Sequence, residues 1–501
     1  MTRALFHYDQ PGLHFPWMGG AAILATCLFL GARPSMAQCV GVVGSLPVAA
    51  NCTAHTTATA EFAVIDASKP YSLDELIDIA ESNNPRTRIA WEQAKQAAER
   101  VGMARSEYYP HLAGLALLGN EKFINPFPKP LAPQGYTMVE NPSADAGLAL
   151  EYTILDFGRR RAHLETEKDL QLSAAANFQR ANQNVAYGVV VAYYNLATAE
   201  AKLGAMRQIL STAHTTESSA EAQLANGRAT LPDVLNARAG TAHAEYDLEA
   251  GIGDMGTARV RLREALGAEP SDAITIVDPD SPPNTDEVST SIAALVASAQ
   301  QDRPDLAALA EKMQAAEQRL KAADSAYRPT VEFDSKGSVL SIWPTVSKQG
   351  GSALADTTQF VWNVGVKIHW DFFDGGLRKR EVLERASEQR EAAEEFREKH
   401  DDVTRETWTA YLQYKTAVRQ QQAAQTLLAA ATTSYEASLE AYGYGVKNLI
   451  DLVNAESQLA VARLADVQAK SAVQTSAANL GYATGKMLRQ QPSSNPVPRQ
   501  P

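Results

Sequence analysis

The chain is written twice. "SLDELIDIAESNNPRTRIAWEQAKQAAERVGMARSEYYP" (Ser72–Pro110) aligns with "SIAALVASAQQDRPDLAALAEKMQAAEQRLKAADSAYRP" (Ser291–Pro329), and Leu73/Ile292, Leu76/Leu295, Pro85/Pro304, Tyr108/Tyr327 and Pro110/Pro329 all stand 219 residues apart. The register then slips by one, and Asp156/Asp374, Gly158/Gly376, Gly227/Gly445, Asp233/Asp451, Asn236/Asn454 and Gly267/Gly485 hold an offset of 218. "GRATLPDVLNA" (Gly227–Ala237) and "GVKNLIDLVNA" (Gly445–Ala455) are one element used twice. A constant offset over so long a stretch is internal duplication, and whatever the first copy builds the second must build again.

Each copy reads helix, two strands, then two helices. Ser72 followed by Glu75 three residues on is a capping box. The spacing predicts a helix of about 36 residues to Tyr108, stopped at Pro110. From about Arg159 to Asn226 there is no proline. Val185, Val189, Ala192, Leu196, Ala199, Leu203, Met206 and Leu210 alternate steps of four and three, the seam of a coiled coil. At 1.5 Å per residue that helix is about 100 Å long. The return helix, about Asp233 to Leu266, is half that length and is expected to stack end to end with the short first helix.

One segment has a period of two. In "FVWNVGVKIHWDFFDGG" (Phe360–Gly376), Phe360, Trp362, Val364, Val366, Ile368 and Trp370 form an apolar row, while Asn363, Lys367 and His369 lie on the opposite one. Taken alone the segment suits either a soluble sandwich or a membrane-crossing strand with aromatic ends. "VEFDSKGSV" (Val331–Val339), "HLAGLALLG" (His111–Gly119) and "DAGLALEYTIL" (Asp145–Leu155) are further strands, separated by long Pro/Gly-rich loops at Ile124–Ser143 and Leu340–Thr358. Four strands in two hairpins cannot close a membrane barrel, since the smallest use about eight, and an open edge in lipid leaves backbone groups unpaired. If the strands span a bilayer, the chain must oligomerise. A lysine facing lipid costs about 2–4 kcal/mol, so Lys367, Asn363 and His369 are expected to line a wet lumen.

Composition narrows the function. Among 501 residues the net charge is −12, which disfavours a nucleic-acid partner. After residue 32 no apolar run approaches the roughly 20 residues of a spanning helix. The N-terminus reads as a signal peptide. Arg3 is followed by the apolar "WMGGAAILATCLFLGA" (Trp17–Ala32) and by "SMA" (Ser35–Ala37), with cleavage expected before Gln38. Gln38 ahead of Cys39 argues against lipidation. Of three cysteines, Cys27 leaves with the leader, and Cys39 with Cys52 is read as a disulfide in an oxidising compartment. "CTAH" (Cys52–His55) is too poor in ligands to argue for a metal. No nucleophile elbow, zinc-binding pair or phosphate loop is present, so no enzyme and no cofactor are expected.

Together these features resemble the TolC family of outer-membrane efflux and secretion channels. The resemblance covers about Ser72 to Gly485. It rests on the duplication, the "YP/YRP" ends of the short helices, the "LDFG" and "FDGG" turns (Leu155–Gly158, Phe373–Gly376) and the repeated "G-x₅-D-[VL]-[LV]-N-A" elements. It implies a mostly α fold with a small β part. In it, a homotrimer forms a coiled-coil α-helical barrel in the periplasm and a 12-stranded β-barrel in the outer membrane, four strands per protomer. The expected domains are a signal peptide (1–37), an N-terminal periplasmic extension (38–70), a first repeat (71–267), an equatorial linker (268–290), a second repeat (291–485) and a disordered tail (486–501).

The resemblance also implies a passive exit duct. It would be fed by an inner-membrane transporter of RND or ABC type through a periplasmic adaptor, at hairpin tips carrying Gly227, Arg228, Gly445 and Val446. Asp451 matches an acidic ring at the periplasmic gate. Asn454 stands where the best-known members carry a second acidic residue. Lys447 matches a basic latch with Asp233 as its acidic partner. From the residues alone, Asp233 and Asp451 are equally helix N-terminal residues favoured by the dipole. The competing reading is a periplasmic coiled-coil adaptor or scaffold, which would lack the four strands.

Overall fold

The computed structural model describes residues 65–66, 69–126, 128–129, 133–271, 273–278, 291–343, 345–346 and 357–487. The chain divides into Met1–Ala60 and Glu61–Pro501, and the structure below is that of the second unit. The expected signal peptide, the Cys39–Cys52 bridge, most of the linker and most of the tail lie outside the described residues.

The short first helix is two helices. α1 (Leu73–Asn83) carries the expected capping box, with Ser72 Oγ accepting from the Glu75 amide and Glu75 Oε2 from the Ser72 amide at 3.1 Å. It ends at Asn84, whose backbone is extended (φ −65°, ψ 128°), and α2 (Pro85–Ser106) begins at once. A proline pushes the residue before it out of the helical region and suits the first helical position itself. Asn84 then caps α2 by accepting from the Arg86 amide at 2.9 Å. The single 36-residue helix expected from the spacing is therefore corrected to a pair with a joint. The second copy repeats it as α5 (Ile292–Asp302) and α6 (Pro304–Ser325), with Arg303 at the joint.

The long helices match expectation. α3 (Arg159–Ala225) and α7 (Leu377–Gly443) have 67 residues each, and the return helices α4 (Leu231–Ala265) and α8 (Leu449–Ala483) have 35. Of the seam, Val185, Val189, Ala192, Leu196 and Leu203 are buried. α2 and α4 both pack on α3 and meet end to end, where Asn84 Nδ2 donates to the Ala265 carbonyl at 2.8 Å. Strands β1 (Pro70–Tyr71) and β4 (Thr275–Ile276) pair in parallel and pack Tyr71, Ile274 and Ile276 against Leu262 and Leu266 at this level.

The repeated turns before the long helices have a mechanical cause. Asp374 accepts from the amides of Gly376 (2.9 Å) and Arg378 (3.0 Å) and from Arg378 Nε (2.6 Å), and Gly376 takes φ +89°. The Arg378 hydrogen bonds hold the Asp374 carboxyl down at about 2. Asp156 does the same for Arg160.

The strands form one antiparallel sheet in the order β2 (His111–Pro126), β3 (Tyr136–Leu155), β5 (Thr330–Ile342), β7 (Thr357–His369), with the short β6 (Thr345–Val346) added on β3. β2 and β3 reach further than expected, so much of the predicted Ile124–Ser143 loop is strand. Pairing Glu332 with Lys367 and Lys336 with Asn363 gives the sheet a polar face. The opposite face carries Phe360, Trp362, Val364, Val366 and Ile368, and Trp362 is 71% exposed. Among the described residues no helix is long and apolar enough to cross a membrane.

Candidate functional site

Two features bear on function: the hairpin tips and the polar face of the sheet. The two tips have one geometry. Asn226 and Tyr444 end the long helices, and Gly227 (φ +69°) and Gly445 (φ +73°) turn the chain through the left-handed region. The amides of Arg228 and Val446 then reach back to the Gln223 and Ala441 carbonyls at 2.8 and 2.9 Å. Arg228, Tyr444, Val446, Leu231 and Ile450 are exposed there.

The gate candidates fall close to these turns. Asp451 is exposed in the first turn of α8, its amide capped by Asn448 Oδ1 at 2.9 Å, and Asn454 is exposed one turn on. Asp233 closes a capping box, its Oδ2 accepting from the Thr230 amide (2.8 Å) and hydroxyl (2.7 Å). Lys447 Nζ donates to Ser438 Oγ at 3.1 Å. Among the described residues no ion pair joins Lys447 to Asp233, so within one chain the structure does not bring the expected latch together. Each group is held instead by its own hairpin.

Between the hairpins lie groups that sequence reasoning missed. Tyr442 and Tyr435 of α7 are buried, and among the described residues the Tyr442 hydroxyl has no hydrogen-bond partner. Burial pushes the Tyr442 phenol up, and the nearby Asp233 charge adds to it. Gln223 of α3 donates to the Gly443 carbonyl at 3.0 Å. Thr216 Oγ1 donates to Glu456 Oε2 at 2.6 Å, and Arg463 Nη1 donates to Thr212 Oγ1 at 3.0 Å. These join α3 of the first copy to α8 of the second, around a cluster that includes Ala220, Val234, Leu452 and Leu459. The only trace in the sequence was a Tyr at helical spacing in "SYEASLEAY" (Ser434–Tyr442).

On the sheet, Asn363, Lys367 and His369 share one face as expected. Lys367 Nζ lies 3.4 Å from Glu332, Asn363 Nδ2 donates to Asp334 at 3.4 Å and His369 Nε2 lies 3.3 Å from Asp371. Lys336 pairs with Asp145 at 2.5 Å. The polar face thus carries the cross-strand ion pairs Lys367–Glu332 and Lys336–Asp145, stable in water and costly in lipid. Among the described residues no group of acidic, His and Cys side chains is arranged to hold a metal.

A duplicated chain with one apolar sheet face, one ion-paired face and paired coiled-coil rods defines an outer-membrane channel protein with a helical tunnel. The sequence profile of the outer membrane efflux protein family matches residues 76–268 and 295–486, and the chain belongs to that family. It is similar to the outer membrane efflux protein BepC of Brucella suis biovar 1 (strain 1330), 24% identical over 412 residues that span 78% of this chain and 80% of BepC. It is also similar to protein CyaE of Bordetella pertussis (strain Tohama I), 26% identical over 323 residues, 64% of this chain and 65% of CyaE. The fold is that of the Vibrio cholerae outer membrane protein VceC, with a TM-score of 0.69 at 19% identity over 82% of this chain and 96% of VceC. The chain is therefore an outer-membrane exit duct of the TolC type, with its helical tunnel in the periplasm, and not an enzyme. The adaptor reading is set aside. Channels of this family are trimers that work with a periplasmic adaptor and an inner-membrane pump.

Proposed function

We propose that three copies of this chain close into one duct of twelve strands, gated near Asp451 and serving efflux. The observation that carries the assembly is the incompleteness of the single chain. β3 of the first copy pairs with β5 of the second, but among the described residues the outer edges of β2 and β7 have no strand partner. α3 packs against α6 and α8 of the other copy, while among the described residues α7 packs mainly on α5, α6 and α8 of its own copy. By the duplication, β7 should pair with β2 of the next chain and α7 should pack on that chain's α2 and α4. Such a head-to-tail contact either closes into a ring or runs on as a filament. A membrane barrel requires closure.

Efflux is favoured by the likeness to BepC, an outer membrane efflux protein, and an RND or ABC transporter would supply the energy, since the duct performs no chemistry. The exposed apolar tips at Leu231, Val446 and Ile450, beside Gly227, Arg228 and Gly445, suit docking of an adaptor. Asp451, exposed and near the tip, would recur around the axis, where low-dielectric walls focus the field of the acidic chain. Lys447 and Asp233, held apart within one chain, are proposed to act in the gate across neighbouring subunits, with Asn454 replacing a second acidic ring. Planar-bilayer recordings test the gate. The wild type should prefer cations, and Asp451→Asn should weaken that preference; unchanged selectivity and conductance would remove Asp451 from the constriction.

A further inference from the structure

At the end of the sheet where all four long strands join helices, the chain carries a charge that it does not itself balance. His111 opens β2 opposite Glu151, Leu155 ends β3 opposite Val331, and Thr330 opens β5 opposite His369, so the four strand–helix junctions stand in one row. Aromatic rings mark the row. Tyr109, Trp370, Phe372 and Phe373 are each half exposed or more, and Trp370 lies against Phe372 at 4.8 Å while its Nε1 donates to the Tyr327 carbonyl at 3.1 Å. Exposed rings at the end of an apolar sheet face belong at a membrane–water boundary. The long helices run from this row into the periplasm, so the row lies at the headgroups of the periplasmic leaflet.

Just beyond it, α3 opens with "RRR" (Arg159–Arg161) and α7 with "LRKR" (Leu377–Arg380). The backbone dipole disfavours cations at a helix start, and neither helix has an acid in its first turn. Arg160 and Arg378 are accounted for, since they bind Asp156 and Asp374 and lie over the rings of Tyr108 and Tyr327 at 5.0 and 5.3 Å. Arg159, Arg161, Lys379 and Arg380 are exposed and, among the described residues, have no ion pair or side-chain hydrogen bond. Arg328, also exposed, faces the Phe157 ring at 5.9 Å. Of the acids at the junctions, Glu107 lies 2.9 Å from His163 and Asp371 lies 3.3 Å from His369. Asp324 and Glu381 remain to face these five cations, on a chain whose net charge is −12. Arg161 and Lys379 occupy the same place in the two copies, 218 residues apart.

We propose that this band binds the phosphate of anionic phospholipids and selects them over zwitterionic ones. The acyl chains lie on the apolar face around Trp362 and Val364, the ring row sits at the glycerol level, and the cations meet the phosphate from the periplasmic side. A guanidinium forks a phosphate through two N–H groups, whereas Lys379 acts as a point charge. An anionic leaflet attracts each such cation and offsets its poor position at a helix start. A zwitterionic headgroup brings its own ammonium, which the same cations repel. The inference rests on the outer-membrane placement and is independent of the gate.

The test is native mass spectrometry of the full chain equilibrated in mixed micelles with equal amounts of phosphatidylglycerol and phosphatidylethanolamine. The wild type should retain phosphatidylglycerol at least about threefold over its competitor, a ratio well within reach of several added cations. Arg161→Gln with Lys379→Gln should bring the ratio close to one. Arg161→Lys with Lys379→Arg, which keeps every charge, should preserve it. Arg207→Gln with Arg419→Gln removes the same charge from exposed positions far down the long helices and should also leave it unchanged. Inorganic phosphate should not displace the lipid, because the apolar face holds the acyl chains. Equal retention of the two lipids by the wild type, or a preference that survives the Gln pair, overturns the proposal. So does an equal loss in the distant pair, which would reduce the effect to net charge. Displacement by phosphate would make the band a free-anion surface and would overturn the lipid.

Discussion

At the joint between the short helices, the first copy places Asn84 and the second places Arg303. Asn84 is a neutral clasp, donating to the Ala265 carbonyl and accepting from the Arg86 amide. Arg303 reaches the equivalent Ala483 carbonyl at 3.4 Å, but also binds Asp305 through two nitrogens (3.0 and 2.6 Å) and Glu406 at 2.5 Å, and is only 1% exposed. Lys399 and Arg180 close on the same Asp305 at 3.0 and 3.6 Å. Burial pushes the Asp305 carboxyl up, yet the Arg303 hydrogen bonds and the surrounding cations outweigh it and hold the group well below the usual carboxylate range. One backbone joint thus accepts two chemistries. The charged one ties the second copy to α3 of the first through Asp305 and Arg180, and the neutral one binds only within its own copy.

Breaking the joints should separate them most. Removing one partner of a buried ion network leaves the others uncompensated, at about 3–5 kcal/mol. Losing a neutral buried hydrogen bond costs about 1–3 kcal/mol. Arg303→Ala should therefore lower the denaturant midpoint clearly more than Asn84→Ala, and equal losses would erase the contrast. The carboxyl of Asp305 is depressed in the folded state. Its contribution is present above the ordinary carboxylate range, near pH 4, and is lost as pH falls through that range toward the folded value. The gap between wild type and Arg303→Ala should hold from neutral pH to about pH 4 and shrink in stronger acid.

A second difference lies at the turns into the long helices. Phe157 takes φ +52° where the second copy has Gly375 at φ +66°. A left-handed non-glycine residue costs roughly 1–2 kcal/mol. Phe157→Gly should raise the unfolding midpoint by an amount corresponding to about 1 kcal/mol. The aromatic ring is retained at the end of a strand, with the Arg328 guanidinium 5.9 Å from its centre. No gain on substitution would mean that this contact outweighs the backbone strain.

The smallest effect concerns Arg238 and Glu456, equivalent residues that both reach α3. Arg238 is exposed and pairs with Glu221 at 2.6 Å, while Glu456 is half-buried against Thr216, near Tyr435 and Arg463. Burial pushes the Glu456 carboxyl up, partly offset by the Thr216 hydrogen bond. The α3–α8 contact should then be strongest below the ordinary carboxylate range and weaken as pH rises through the raised value. Glu456→Gln should flatten that trend in hydrogen exchange of the α8 amides. A trend that survives the substitution would assign it to another group.

Periodicity revealed what depends on periodicity: the coiled-coil seam around Val189 and Leu196, the return helices and the two faces of β7. The joints were also written, as Asn84-Pro85 and Arg303-Pro304, but the apolar spacing on both sides ran through them and the proline was outvoted. The tip capping box was legible as Thr230-x-x-Asp233. The burial of Arg303 was not, because it depends on Glu406 and Ala483, more than a hundred residues away. Nor was the contact of Glu456 with Thr216, since a Glu after "LVNA" reads as a solvated residue until α3 is laid beside it.

The central claim is that one chain is an incomplete ring. The most direct measurement is the mass of the intact protein, extracted from outer membranes in mild detergent and kept native. Three chains are expected, persisting on dilution. A stable monomer or dimer would leave the edges of β2 and β7 without partners and would contradict the twelve-stranded duct.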